Sequence, residues 1–164
     1  MTVSTTRRAV VTTPTDTQIV ISREFDAPRH LVYKACTTPE LVKQWWGGDR
    51  GEVTSAEIDL RPGGKWRYVM QANGGFEVAF HGEYREILTN QRIVSTEIYE
   101  GAPDPEVNGT LNTMTLEDKG GLTLLTTAVQ TPNKFVRDAI IESGMEGGMQ
   151  ESFDHLEKVA QSLR

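Results

Sequence analysis

Lys65-Trp66-Arg67-Tyr68-Val69-Met70-Gln71-Ala72 runs into Asn73-Gly74-Gly75 and then Phe76-Glu77-Val78-Ala79-Phe80-His81-Gly82-Glu83-Tyr84-Arg85-Glu86-Ile87-Leu88. Successive side chains of a strand point to opposite faces, so Trp66, Tyr68 and Met70 share one face and Lys65, Arg67, Val69 and Gln71 the other. In the second run Val78, Phe80, Gly82 and Tyr84 share a face, with His81 in antiphase. Asn-Gly between two alternating runs is the strongest short-range hairpin signal. Residues 65–88 therefore read as an antiparallel hairpin with one aromatic face.

The same period of two extends in both directions. It marks strands at 52–60, 65–72, 76–88, 92–99, 110–117 and 122–130. Arg61-Pro62-Gly63-Gly64, Asn73-Gly74-Gly75, Thr89-Asn90 and Asp118-Lys119-Gly120-Gly121 separate them with turn chemistry. Residues 101–108, with Pro103 and Pro105, read as an irregular loop. Six strands joined by tight turns make an antiparallel meander.

Upstream, residues 18–25 form one more strand, in which Ile19, Ile21 and Arg23 alternate with Val20, Ser22 and Glu24. Asp26-Ala27-Pro28 stops it and opens a short helix with Leu31, Val32 and Ala35 on its apolar side. Thr38 as N-cap and Pro39 at the first helical position start a second short helix, which Trp46-Gly47-Gly48 ends. After Pro132-Asn133 the period becomes helical. Apolar residues fall at Phe135, Val136, Ala139, Ile140, Met145, Met149, Phe153, Leu156, Val159, Ala160 and Leu163. Gly144, Gly147 and Gly148 are costly inside a helix, about 1 kcal/mol each against Ala. The helix either bends there or passes very close to something.

The class is α+β. A long antiparallel sheet must cover its apolar face. The terminal helix, about 40 Å long at ~1.5 Å per residue, is the element able to do so. A seven-stranded twisted sheet curling round it touches it best at the ends, and the middle is where a pocket would form.

The chain has 164 residues, with 17 Lys and Arg against 23 Asp and Glu for a net charge of −6. That length is one domain, expected over 17–164 after a flexible Thr-rich tail over 1–16. The acidic balance argues against a nucleic-acid partner and against polybasic attachment to a membrane. No run of eighteen apolar residues occurs, so no membrane span is expected. A lone Cys36 suits a reducing cytoplasm. No nucleotide, metal or haem motif is present and no obligatory cofactor is expected. His30, His81 and His155 are isolated in sequence and read as ordinary surface residues.

Several small motifs occur in a telling order: Phe25-Asp26-Ala27-Pro28; Thr38-Pro39-Glu40 followed by Trp45-Trp46; Arg61-Pro62-Gly63-Gly64 before an aromatic strand; Gly82-Glu83-Tyr84; and Gly144-Met145-Glu146-Gly147-Gly148-Met149 ahead of Ser152-Phe153 and Leu156. In these the chain resembles the START/Bet v 1-like (SRPBCC) superfamily. Within it the chain is similar to the stand-alone bacterial form of the branch named for the activator of Hsp90 ATPase. The resemblance covers residues 18–163. It implies a helix-grip fold, a seven-stranded curved sheet wrapped round a long C-terminal helix, whose cavity takes hydrophobic small molecules in many relatives.

Strand phase supplies the candidate lining: Trp66, Tyr68, Met70 and Phe80 on the hairpin, Glu97 and Tyr99 on the next strand, and Asn112 and Met114 on the one after. Met145, Met149 and Phe153 look down from the helix. Trp46 either lies across the sheet edge or forms, with residues 47–50, a rim of the mouth. All of these fit a packed core as well as a pocket. The polar tips of Tyr68, Glu97, Tyr99 and Asn112 among apolar neighbours favour a pocket, since an unpaired buried polar group costs about 1–3 kcal/mol.

Three function classes fit the residues. One is binding of a small hydrophobic or aromatic molecule, without catalysis. A second is a co-chaperone that activates an Hsp90-type ATPase through its surface. A third is a cyclase or hydratase of the polyketide-cyclase kind, using Glu97, Tyr68 or Tyr99 as acid or base. An exposed edge strand would allow a homodimer as well as a monomer.

Overall fold

The computed structural model describes residues 8–164. A short strand β1 (Val10–Thr12) precedes β2 (Gln18–Phe25), helices α1 (Arg29–Thr37) and α2 (Pro39–Trp45), and the meander β3 (Gly51–Ile58), β4 (Lys65–Ala72), β5 (Glu77–Leu88), β6 (Arg92–Tyr99), β7 (Thr110–Lys119) and β8 (Leu122–Gln130). Helices α3 (Lys134–Glu142) and α4 (Met145–Ser162) end the chain. All strands join one antiparallel sheet in the order β1-β2-β8-β7-β6-β5-β4-β3. The five hairpins of the meander lie side by side, and β2 adds to β8 at its far edge. Register shifts at Val53/Ser55 and Tyr84/Glu86 bend the sheet.

Two expectations are corrected. The sheet has eight strands, not seven, because Val10–Thr12, expected within a flexible tail, pairs with Val20–Ser22 of β2. Three residues are too few to show a period of two. They are held by distant partners: the Ala9 N–H donates to Gln150 Oε1 on α4 at 2.8 Å, and Val11 packs on the core. Residues 1–7 of the expected tail lie outside the described residues. The second correction concerns the C-terminal helix. Gly144 takes φ +83°, a left-handed conformation that suits glycine, and divides the segment into α3 and α4. The gripping helix thus has 18 residues and spans about 27 Å.

Strand register fixes the concave face: Ile19, Ile21, Arg23 and Phe25 on β2 continue across the sheet into Leu125, Leu116 and Ile93. At this end α4 closes the core with Phe153, Leu156, Val159 and Ala160. The Phe153 ring meets that of Phe25 edge-on at 5.3 Å. Each fully buried Phe or Leu contributes about 2–3 kcal/mol. Arg23 is the charged member of this wall, with Nη1 3.0 Å from Asp154 and Nη2 3.3 Å from Glu157 on α4, and its guanidinium 4.9 Å from the Phe25 ring centre.

Candidate functional site

The other half of the concave face is built differently. Tyr68 lies opposite Phe80 and Phe80 opposite Tyr99, so one transverse row of three rings crosses β4, β5 and β6. Phe80 and Tyr99 stack at 5.0 Å, and Trp66 tilts against Tyr68 at 4.8 Å. Trp66 lies opposite Gly82, where a side chain would run into its indole nitrogen. That buried N–H has no hydrogen-bond partner among the described residues.

Trp46, just past the end of α2, reaches in from above. Its ring packs edge-on to both Tyr68 and Phe80, each at 5.5 Å. It therefore covers the aromatic row itself and does not lie across the sheet edge. Its neighbour Trp45 turns elsewhere and donates Nε1–H to the Ala35 carbonyl at 2.9 Å. The loop after Trp46 is clasped to α4. Ser152 Oγ donates to the Trp46 carbonyl at 2.9 Å, His155 Nε2 lies 2.9 Å from Asp49, and Arg50 pairs with Glu151 at 3.4 Å. Gly147 and Gly148 face the Arg50 guanidinium, with a built Cβ 3.1 Å from it at Gly147 and in ordinary contact, 3.5 Å, at Gly148.

Next to the aromatic row is a polar one. Thr110 Oγ1 donates to Asn112 Oδ1 at 2.9 Å, and Asn112 Nδ2 donates to Glu97 Oε1 at 3.4 Å. Burial pushes the Glu97 carboxyl above its ordinary value, against the opposing effect of Asn112. The Tyr68 phenol is driven well up by burial, then by Tyr84, Cys36 and Glu97, and it is hydrogen-bonded to the Tyr84 hydroxyl. Burial pushes the Cys36 thiol up to about 12.

Of the twelve expected lining residues, Trp66, Tyr68 and Phe153 are buried. Trp46, Met70, Phe80, Glu97, Asn112, Met114, Met145 and Met149 keep part of their surface accessible, and Tyr99 is exposed. Phe153 belongs to the closed end beside Phe25, away from the polar row. Of the other eleven, Trp46, Phe80, Met114, Met145 and Met149 are half-buried and pack against the core. Along its length α4 has α1, α2 and α3 as close neighbours, and its Met145 and Met149 pack against the core. Thr110 and Tyr84 belong with the set and were not expected there. Both were readable in principle: Thr110 is in phase with Asn112, and Tyr84 with Phe80.

His81 and His155 have local partners. His81 Nδ1 is 2.8 Å from Glu100, which also receives two 2.9 Å hydrogen bonds from Arg67. Two open grooves of about 240 and 260 Å³ lie away from the polar row, one beside β1 and β2, the other bordered by Lys65, Trp66, Arg67, His81 and Gly82.

Two titration predictions follow from these partners. A carboxyl whose folded value is raised contributes stability that is complete below the unfolded value and lost as pH rises through the folded one. Glu97→Gln is therefore expected to stabilise the protein at pH 7, with the gain vanishing below about 4.5, the ordinary value. Urea midpoints across pH 4–8 check this, and parallel profiles for the two proteins would refute it. Glu100 behaves oppositely, since Arg67 and then His81 hold its carboxyl down to about 2. Its contribution is present above 4.5 and is lost as pH falls toward 2. Glu100→Gln should lower stability slightly at pH 7, because solvent and salt screen exposed pairs, and not at all near pH 2.

A curved antiparallel sheet holding a C-terminal helix, tightly packed at one end and lined by rings and a polar row at the other, defines a helix-grip domain. The chain belongs to the Activator of Hsp90 ATPase homolog 1-like protein family, whose model matches residues 26–161. This places it in the START/Bet v 1-like superfamily. A crystal structure from Rhodobacter sphaeroides is 24% identical and superposes with a TM-score of 0.87 over 94% of this chain and 99% of that one. One from Nitrosomonas europaea is 23% identical, with a TM-score of 0.80 over 92% and 97%. One from Mycobacterium smegmatis is 20% identical, with 0.82 over 92% and 96%. At such identities the likeness shows the fold alone. No curated protein matches the chain significantly in sequence.

Proposed function

We propose that the protein binds a small hydrophobic or aromatic molecule between the aromatic row and the first turns of α4. The observation that carries this reading is the Glu97–Asn112–Thr110 row. A carboxyl costly to bury sits half-buried beside Asn112 and two residues from Tyr99, within the half of the concave face whose side chains keep accessible surface. Largely apolar walls with a few convergent polar groups characterise small-molecule sites. Methionines 70, 114, 145 and 149 supply walls that adapt in shape.

The test is native mass spectrometry of gently purified protein, joined to displacement of a fluorescent apolar probe. One equivalent is expected to bind, and Met149→Trp, which fills the space from the helix side, should weaken the probe at least tenfold, about 1.4 kcal/mol. Unchanged probe affinity in that variant would place the site elsewhere.

Membership of the family supports a second reading, activation of an Hsp90-type ATPase through the surface. Unchanged ATP turnover on mixing with the host's Hsp90 homologue would remove it. A cyclase or hydratase role has one support, a buried carboxyl near Tyr68. Full activity of Glu97→Gln on an identified substrate would exclude it.

A further inference from the structure

We infer that the bound molecule carries a protonated amine on its apolar body, and that Glu97 with the surrounding rings recognises that cation. The inference rests on the binding reading above and names the chemistry of its ligand. Three charged side chains are in phase with the concave face of the sheet among the described residues: Arg23, Glu97 and Asp118, the last exposed near the end of β7. Arg23 lies at the closed end and is matched by Asp154 and Glu157. Glu97 lies in the half with accessible surface, and what acts on it there is burial and the Asn112 amide, with no cation.

The polar row is oriented for an acceptor. Thr110 takes up the oxygen end of the Asn112 side chain, so the NH2 end turns to Glu97 and steadies it as a carboxylate. Tyr99 is two residues along on the same face, Phe80 stacks on Tyr99, Tyr68 lies opposite Phe80, and Trp46 packs on both. Ring faces carry the negative end of the aromatic quadrupole and attract ammonium groups. Tyr68 is the titratable group within electrostatic reach of Glu97, and Tyr84 and Cys36 act on Tyr68 in turn. None of the three supplies positive charge. The arrangement is a carboxyl and four rings in want of a counter-ion. An anionic guest meets repulsion, a neutral one gains burial only, and an amine gains a charge-assisted hydrogen bond and ring contacts as well.

Three probes sharing one naphthalene body test this: 1-naphthylmethylamine, 1-naphthalenemethanol and 1-naphthoate, titrated calorimetrically into the full chain at pH 7. The amine is expected to bind at least tenfold more tightly than the alcohol, and naphthoate least tightly. A hydrogen bond to a charged group is worth about 1.5–3 kcal/mol, or roughly tenfold and upward. Glu97→Gln should erase the amine's advantage over the alcohol. Phe80→Leu should cost the amine several-fold more than the alcohol, the scale of one lost ring contact (~1 kcal/mol). If the alcohol or naphthoate binds as tightly as the amine, the cation inference is overturned and the binding site stands. If none of the three binds, both fall together.

Discussion

Gly82→Ala is expected to cost at least about 3 kcal/mol, the upper end of the overpacking range, or to prevent folding altogether. Gly82 sits on β5 opposite Trp66, and a Cβ there would collide with the Thr96 carbonyl oxygen on β6 and stand 2.6 Å from the Trp66 indole nitrogen and 2.8 Å from the Thr96 carbonyl carbon. Two of these three neighbours are backbone, which cannot swing aside. Thr96 is tied down further, because its Oγ1 accepts the Glu83 N–H at 2.9 Å. Relief would have to come from Trp66, whose ring is set against Tyr68. Moving it would spread the damage through the aromatic row to Trp46 and Phe80. Gly75→Ala is the comparison: its φ of +86° makes the substitution strained, but no atom lies within 4 Å. That variant should lose only the backbone strain, about 1–2 kcal/mol. Urea unfolding of both proteins reads the difference, and a Gly82→Ala loss below that of Gly75→Ala would show that the close approach of β5, β6 and Trp66 is not what the glycine serves.

The hairpin around Asn73-Gly74-Gly75 was legible because its information is local. The alternation on either side and the turn residues between them lie within two dozen positions, and β4 and β6 begin and end where the alternation does. Thr38 is the N-cap residue of α2 with Pro39 in its first turn for the same reason. The strand β1 was not legible, since what makes Val10–Thr12 a strand is the edge of β2 and a glutamine 141 positions away. The break at Gly144 escaped for a subtler reason. The apolar positions on either side of it keep helical spacing, so the stripe reads as continuous where the backbone is not.

Within the site, phase gave the facing of each strand and nothing about depth. Met149 and Phe153 are four residues apart on one stripe of α4, and only the rings they meet separate them. Phe153 finds Phe25 and is buried, while Met149 packs on the core and stays partly accessible. Trp46 shows the same limit. Its position after a short helix is readable, but its insertion over Tyr68 and Phe80 depends on how the loop at 47–50 is fastened to α4 by Ser152, His155 and Glu151.

Arg23→Ala should be nearly as damaging as Gly82→Ala, at about 3–5 kcal/mol, the usual result of removing one partner from a buried ion pair. The loss is not the strength of the pairs themselves, which burial largely offsets. It is the cost of taking a fully buried guanidinium out of the wall and leaving the mostly buried Glu157 without it, while Asp154, 35% exposed, keeps Gln150 and solvent. Glu157 also accepts the Asp26 N–H at 2.8 Å, so its carboxylate cannot turn freely to solvent. Phe25 loses the guanidinium over its ring at the same time. Salt separates this mechanism from a surface effect. Raising NaCl to 1 M shortens the screening length to about 3 Å. That should weaken the exposed Arg67–Glu100 pair and leave the Arg23→Ala deficit nearly unchanged. A deficit that shrinks with salt, or one under about 1 kcal/mol as for surface pairs, would mean that the closed end is held by its rings and aliphatic side chains alone. If the deficit persists, Arg23 is the tie that fixes the C-terminal half of α4 to the sheet. The N-terminal half, with Met145 and Met149, is then held separately, through Glu151 and Ser152, to the loop that carries Trp46.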